Sequence, residues 1–245
     1  MSAPLLSLDQ VTKRYVRGRH EIVALDDVSL DIAPGEFVAV FGSHASGKTT
    51  LLRVAAGIER ADEGRVLFAG DDVTEWASNV RRRGLHPRIG WLRRSGPFLA
   101  SMEMLDYVAL PLLSKVSEPA EALRRATRAL AQVQAEDMTR ATWDELSDAE
   151  RTYVMLAQAV VREPALLLAD DPTRGLGTGD RERMLAGLRG LADTGTAVLM
   201  TVPDVPDMLR AHRVMTLSDG ELIASTTHER SGDVIDFPRG RGELA

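Results

Sequence analysis

The sequence predicts an α/β fold: a core with a mostly parallel sheet, an antiparallel β portion ahead of it and a helical portion inserted in its middle. Three observations predict this. A glycine-rich loop joins an apolar strand to a helix, two short apolar runs without alternation flank a late helix, and the long stretch between has helical period.

Taken in order, Leu6-Ser-Leu-Asp-Gln-Val11 and Val28 to Ile32 alternate apolar and polar residues, as strands of a half-exposed antiparallel sheet do. Pro34-Gly35 marks a turn before the run Glu36 to Phe41. Then comes Gly42-Ser-His-Ala-Ser-Gly-Lys-Thr49, followed by a helix-forming stretch from Thr50 to Ala56. Val66 to Gly70 reads as another half-exposed strand, turning at Gly70-Asp71. Helical period covers Pro119 to Met138, and no strand-like run interrupts Met102 to Arg162. Ala165 to Ala169 and Ala197 to Val202 suit buried parallel strands, with a crossover helix over Asp180 to Ala192. Beyond Ser225 apolar content falls, and a loose tail is expected.

The pattern Gly, four free positions, Gly-Lys-Thr is a complete phosphate-binding loop. Chance would produce it about once in a hundred chains of this length, taking glycine at ~7%. In a P-loop NTPase core, the backbone N–H groups of Gly42, Ser43, His44, Ala45, Ser46 and Gly47 cradle phosphates with the helix N-terminus. Lys48 reaches the terminal phosphates and the Thr49 hydroxyl ligates Mg2+. The sequence therefore predicts a nucleoside triphosphate as ligand with Mg2+ as its companion.

Composition sets bounds. At 245 residues the chain holds one large domain, not two fused nucleotide-binding domains. It has no cysteine, so disulfides and thiolate metal sites are excluded, and its 5 histidines lack ligand spacing. A net charge of -6 argues against nucleic acid as a partner. No apolar run approaches the ~20 residues of a membrane span, so the chain is expected to be soluble and cytoplasmic.

Further landmarks follow the loop: Ile89-Gly-Trp-Leu-Arg-Arg94, Leu105-Asp-Tyr-Val-Ala-Leu-Pro-Leu-Leu113, Leu146-Ser-Asp-Ala-Glu150 and Leu166-Leu-Leu-Ala-Asp-Asp-Pro-Thr173. In this order the chain resembles the nucleotide-binding subunits of ATP-binding cassette (ABC) transporters, from Leu5 to about Ala224. Val23-Ala-Leu-Asp-Asp-Val-Ser-Leu30 and Tyr107 to Leu113 look most like the lipoprotein-releasing and macrolide-exporter branch. The resemblance implies an ATP-binding domain over 1–225 with a helical subdomain at about 95–162, and a tail over 226–245. It also implies a head-to-tail homodimer or heterodimer of cassettes beneath membrane permease subunits, peripheral on the inner face of the cell membrane.

Carried over by position, Tyr15 matches an aromatic that stacks on adenine; its alternative is a strand tyrosine facing the core. Lys48, Thr49, Thr50 and Asp170 match the binding elements, with Asp170 holding Mg2+ through Thr49 and water. Ala45 replaces a customary glycine, which strains or loosens the loop if a left-handed backbone is needed there. Asp171 stands in for a general-base glutamate and sets its carboxylate about 1 Å back from the attacking water. Pro203 replaces a γ-phosphate histidine, Arg94 a metal-positioning glutamine, and Gly177 an aspartate linking the two sites. In the signature, Ser147 and Glu150 keep capping-box spacing, so Ser147 should start a helix facing the partner's nucleotide. Asp148 and Ala149 replace two glycines. Either Asp148 repels the partner's γ-phosphate or it turns aside into solvent. The pattern implies ATP binding with slow or absent hydrolysis; the alternatives are a low-turnover transport ATPase and a soluble regulatory cassette. Arg81-Arg-Arg83 reads as a solvated face or docking edge.

Overall fold

The computed structural model describes residues 3–78, 85–92, 101–113, 118–203 and 205–227. Two sheets organise it. Strands β1 (Leu6–Arg17), β2 (His20–Ile32), β4 (Glu63–Phe68) and β5 (Asp71–Asp72) form an antiparallel sheet in the order β2-β1-β4-β5. The second sheet runs β10-β9-β3-β8-β7-β6, from β3 (Phe37–Phe41), β6 (Ile89–Leu92), β7 (Leu166–Asp170), β8 (Ala197–Val202), β9 (Arg213–Ser218) and β10 (Glu221–Thr227). Its strands from β9 to β6 are parallel. Only β10 turns back, through Asp219 and Gly220, both at positive φ as a primed hairpin turn requires.

The apolar runs predicted as parallel strands are buried on both faces, and their alternation divides two cores. Val38, Val40, Leu166, Leu168 and Leu199 face one cluster, where they meet Leu51, Leu52 and Val54 of α1 (Lys48–Ala55) and the inner residues of the antiparallel sheet. Phe37, Ala39, Leu167, Ala169, Val198 and Met200 face the other. There they pack with Met184, Leu185 and Leu188 of α5 (Thr178–Asp193). The same cluster takes in α2 (Met104–Leu113), α3 (Pro119–Gln132) and α4 (Asp148–Val160). The crossover helix, the parallel runs and the helical middle therefore sit where the sequence predicts them.

Several boundaries differ. β1 and β2 run well beyond Val11 and begin well before Val28, because register shifts at Leu8/Val11, Val11/Lys13 and Lys13/Arg14 interrupt the alternation without ending the pairing. The helix predicted to reach Met138 stops at Gln132. Gln134 takes a left-handed φ of 58°, and a separate short turn covers Glu136–Met138. β10 continues to Thr227, two residues past Ser225. Among the described residues, no helix is long and apolar enough to cross a membrane.

Candidate nucleotide site

The ends of β3, β8 and β7 lie side by side at one edge of the parallel sheet, where ligand sites of such sheets form. The loop 42–47 leaves β3 there and feeds α1. Both motif glycines are demanded by packing: a Cβ on Gly42 would meet the Leu217 carbonyl and lie 2.5 Å from Ser46 Oγ. At Gly47, with φ 104°, it would strike the Ala24 carbonyl. Ala45 sits at φ 63°, so the loop keeps a left-handed turn and bears about 1 kcal/mol of strain instead of loosening. Ser43 and His44 are exposed, whereas Ser46 is buried. A brace comes from the β9–β10 turn, where Gly220 N–H donates to the Ser46 carbonyl at 3.2 Å and accepts from Asp26 N–H at 2.9 Å through its own carbonyl.

Lys48 points into this loop. Its Nζ donates to the carbonyls of Gly42 at 2.7 Å and Ser43 at 2.6 Å, with Ser46 Oγ at 3.5 Å. Burial holds the ammonium below its ordinary lysine value, against the opposing pull of Asp171 and Asp170. A cation desolvated among loop carbonyls is poised to gain from a phosphate anion.

Thr49 Oγ1 donates to Asp170 Oδ2 at 2.9 Å, and Thr201 Oγ1 donates to Asp170 Oδ1 at 2.7 Å. Among the described residues no group of three or more His, Asp or Glu is placed to hold a metal. Mg2+ seldom needs one, since it takes hard oxygens from one or two side chains and completes its shell with phosphates and water. The exposed Thr49 hydroxyl beside one ordered carboxylate fits that ion, which would supply charge neutralisation at the phosphates.

Asp171 follows at a left-handed φ of 49°, with Arg174 Nε 3.8 Å from its Oδ2. Pro203 is exposed just past β8. Tyr15 lies on the continued β1, its hydroxyl 3.5 Å from Thr50 Oγ1 and hydrogen-bonded to Glu59. This half-buried ring is at the rim of α1 and not in the core. Burial and the Glu59 contact raise its phenol above the ordinary tyrosine value.

Ser147 N-caps α4. Its Oγ accepts from Glu150 N–H at 3.3 Å, while Glu150 Oε2 accepts from Ser147 N–H at 2.8 Å, a complete capping box. α4 packs on α2, α3 and β6, so Ser147 belongs to a different element from the loop. In the single chain the Asp148 side chain is 92% exposed and paired with Arg151 Nη1 at 3.1 Å. Arg151 is itself fixed, with Nε donating to the Trp143 carbonyl and its guanidinium 5.3 Å over the Trp143 ring. Gly177 N-caps α5 in open space, with nothing within 4 Å of an added Cβ. Arg94, Arg81 to Arg83 and residues 228–245 lie outside the described residues.

Three features escape a reading of motifs. Thr201 binds Asp170, Gly220 braces the loop, and a buried pair, Thr173 and Asp207, meets the half-buried Arg181. Thr173 Oγ1 donates to Asp207 Oδ2 at 2.6 Å, and Arg181 Nε is 3.5 Å from Asp207 Oδ1. Their signals were present as a lone hydroxyl in an apolar strand, an Asp-Gly dipeptide between two strands, and an acidic residue after Pro206.

Residues 25–174 of the chain match the ABC transporter family. The chain belongs to it. This ABC transporter ATP-binding domain is 36% identical over 220 residues to the lipoprotein-releasing system ATP-binding protein LolD of Chromohalobacter salexigens, covering 89% of this chain and 92% of that one. Among solved structures, a dimer of the ATP-binding cassette MJ0796, in a post-hydrolysis state bound to ADP and Pi, matches with a TM-score of 0.80 at 27% identity. The match covers 91% of this chain and 98% of that one. The cassette cbiO1 from Clostridium perfringens, part of the ABC transporter complex cbiONQ, shares the fold with a TM-score of 0.81 at 22% identity, over 92% and 89% of the two chains.

Proposed function

We propose that this ABC ATP-binding subunit binds Mg-ATP through its loop, closes on a second cassette beneath membrane permease subunits, and hydrolyses the nucleotide slowly or not at all. It works on the cytoplasmic face of the cell membrane, held there by the permease. The observation that carries the reading is a contrast within one site. Lys48 faces the loop and Thr49 is hydrogen-bonded to Asp170, so the groups for binding converge. The groups for chemistry do not: Asp171 is one methylene short of a glutamate and lies beside Arg174, and Pro203 offers neither imidazole nor N–H donor.

In this reading Lys48 and the loop amides bind the phosphates, Thr49 and Asp170 orient the metal, and Tyr15 stacks at the adenine. Thr50, in contact range of Tyr15, joins the two ends of the site. Asp171 acts as a weakened base toward water. The relation to LolD supports the membrane-permease partnership and that to the MJ0796 dimer supports pairing of cassettes. The experiment is ATP binding by calorimetry with Mg2+, alongside single-turnover hydrolysis. Micromolar to millimolar affinity with very slow turnover is expected. Turnover as fast as that of a transporting cassette would overturn the slow-hydrolysis reading.

One observation favours a second reading, an ordinary transport ATPase of low turnover. Asp148 turns to solvent and is neutralised by Arg151, leaving the capped start of α4 accessible to a partner's nucleotide. An ATPase rate abolished by Asp171→Asn would select it.

A further inference from the structure

We propose that Thr201 is a positioning residue for Mg2+ binding, locking Asp170 and Asp171 in place through a single buried hydroxyl; this rests on the Mg-ATP reading above. Thr201 is fully buried in β8 and stands opposite Asp170 in the parallel pairing of β7 and β8. Every other residue of β8 is apolar, from Ala197 to Val202. A hydroxyl in such a strand must find partners within the protein. It finds two. It donates to Asp170 Oδ1 at 2.7 Å and accepts from Asp171 N–H at 3.1 Å.

The direction of each bond is forced, because a carboxylate accepts and an amide donates. The hydroxyl is therefore ordered, and Asp170 Oδ1 is committed to the interior. That leaves Oδ2 facing the Thr49 hydroxyl at 2.9 Å, with the carboxylate unable to swing about its terminal torsion. The same contact pins the next residue. Asp171 N–H is shared between Thr201 Oγ1 and the Thr201 carbonyl, each at 3.1 Å, while Asp171 holds its left-handed φ of 49°. One side chain thus sets the aim of the metal-orienting carboxylate and the backbone of the residue beside it. Groups that fix a metal ligand from behind are worth about 10- to 100-fold in metal affinity.

Thr201→Val keeps the shape and removes only the hydroxyl. Calorimetric titration of ATP into the full chain, in excess Mg2+ and again in EDTA, yields the ratio of two affinities, which isolates the contribution of the metal. In Thr201→Val that ratio should fall about tenfold, with the affinity in EDTA unchanged and the chain folded by thermal melt. Thr201→Ser, which retains the hydroxyl, should keep the wild-type ratio. An unchanged ratio in folded Thr201→Val overturns the proposal. So does a loss in Thr201→Ser, which would assign the effect to packing of the methyl; this arm decides the matter even where the valine variant does not fold. A wild-type chain that binds no ATP under either condition would instead remove the Mg-ATP reading itself.

Discussion

In the proposed reading Lys48 is the residue on which nucleotide binding turns, because it is both desolvated and directed at the loop carbonyls of Gly42 and Ser43. Lys48→Ala should abolish ATP binding in calorimetry while leaving the fold intact, and retained affinity would place the nucleotide elsewhere. A finer expectation follows from the sign of its shift. Burial lowers its proton affinity in the free protein and phosphate oxygens restore it, so ATP binding at alkaline pH should take up protons. Titrations in buffers of different ionisation enthalpy measure that uptake, and its absence at every alkaline pH would deny a direct lysine–phosphate contact. At Asp171 the expectation is negative. On the slow-hydrolysis reading, Asp171→Glu alone should leave hydrolysis slow, since Pro203, Asp148 and Ala149 remain and groups acting as a unit do not add. A large gain in single-turnover rate from that one change would show the other departures to be harmless.

Elements were legible from sequence wherever a single period persisted. β3, β7 and β8 are almost wholly apolar runs, covered on one face by α1 and the antiparallel sheet and on the other by the remaining helices. The long β1–β2 ribbon was half read, because its bulges at Gln10 and Asp27 break the alternation while the hydrogen bonding continues. Pro111 inside α2 is another case. Its ring cannot donate to the Tyr107 carbonyl one turn back, yet Gln158 Nε2 of α4 donates to that carbonyl at 2.8 Å. Arg162 follows one turn along and donates to the Pro111 carbonyl at 2.9 Å through Nη2. Such repairs come from α4 and the turn that follows it, and no local pattern announces them. The Thr173–Asp207–Arg181 trio is of the same kind, joining the segment after Asp171 to α5 and to the turn after Pro203. Asp207→Ala leaves a buried hydroxyl without its acceptor and a half-buried guanidinium without its ion-pair partner, and should cost about 2–3 kcal/mol of stability. Denaturant unfolding checks this, with a loss below about 0.5 kcal/mol, the range of ordinary surface changes, as the contrary result.

At the scale of the assembled molecule, the two kinds of departure fall on different elements of one chain. Lys48, Asp170 and Asp171 share the sheet edge, whereas Ser147, Asp148 and Ala149 open α4, which packs on α2, α3 and β6. In the head-to-tail pair proposed above, each nucleotide would meet one surface from each chain. On that reading a site made of this chain's loop and a partner's signature would lack groups for chemistry. The opposite site would take the partner's base but meet Asp148 at closure. Arg151 neutralises Asp148 only across an exposed contact, so phosphate oxygens arriving at the helix start still face an anion screened by water and one cation. Two impaired sites suit ATP held as a long-lived clamp better than ATP spent at each cycle. The complex of this chain with its partners should therefore show low ATPase. Asp148→Gly with Ala149→Gly should raise it only where the partner cassette carries an intact glutamate and histidine, because that change repairs closure and not the chemistry of this chain's own site. ATPase of the reconstituted complex, measured with and without the two glycines, makes the comparison. Robust turnover in the unmodified complex would mean that the Asp148–Arg151 pair swings clear of the partner's nucleotide, and the clamp would give way to an ordinary motor.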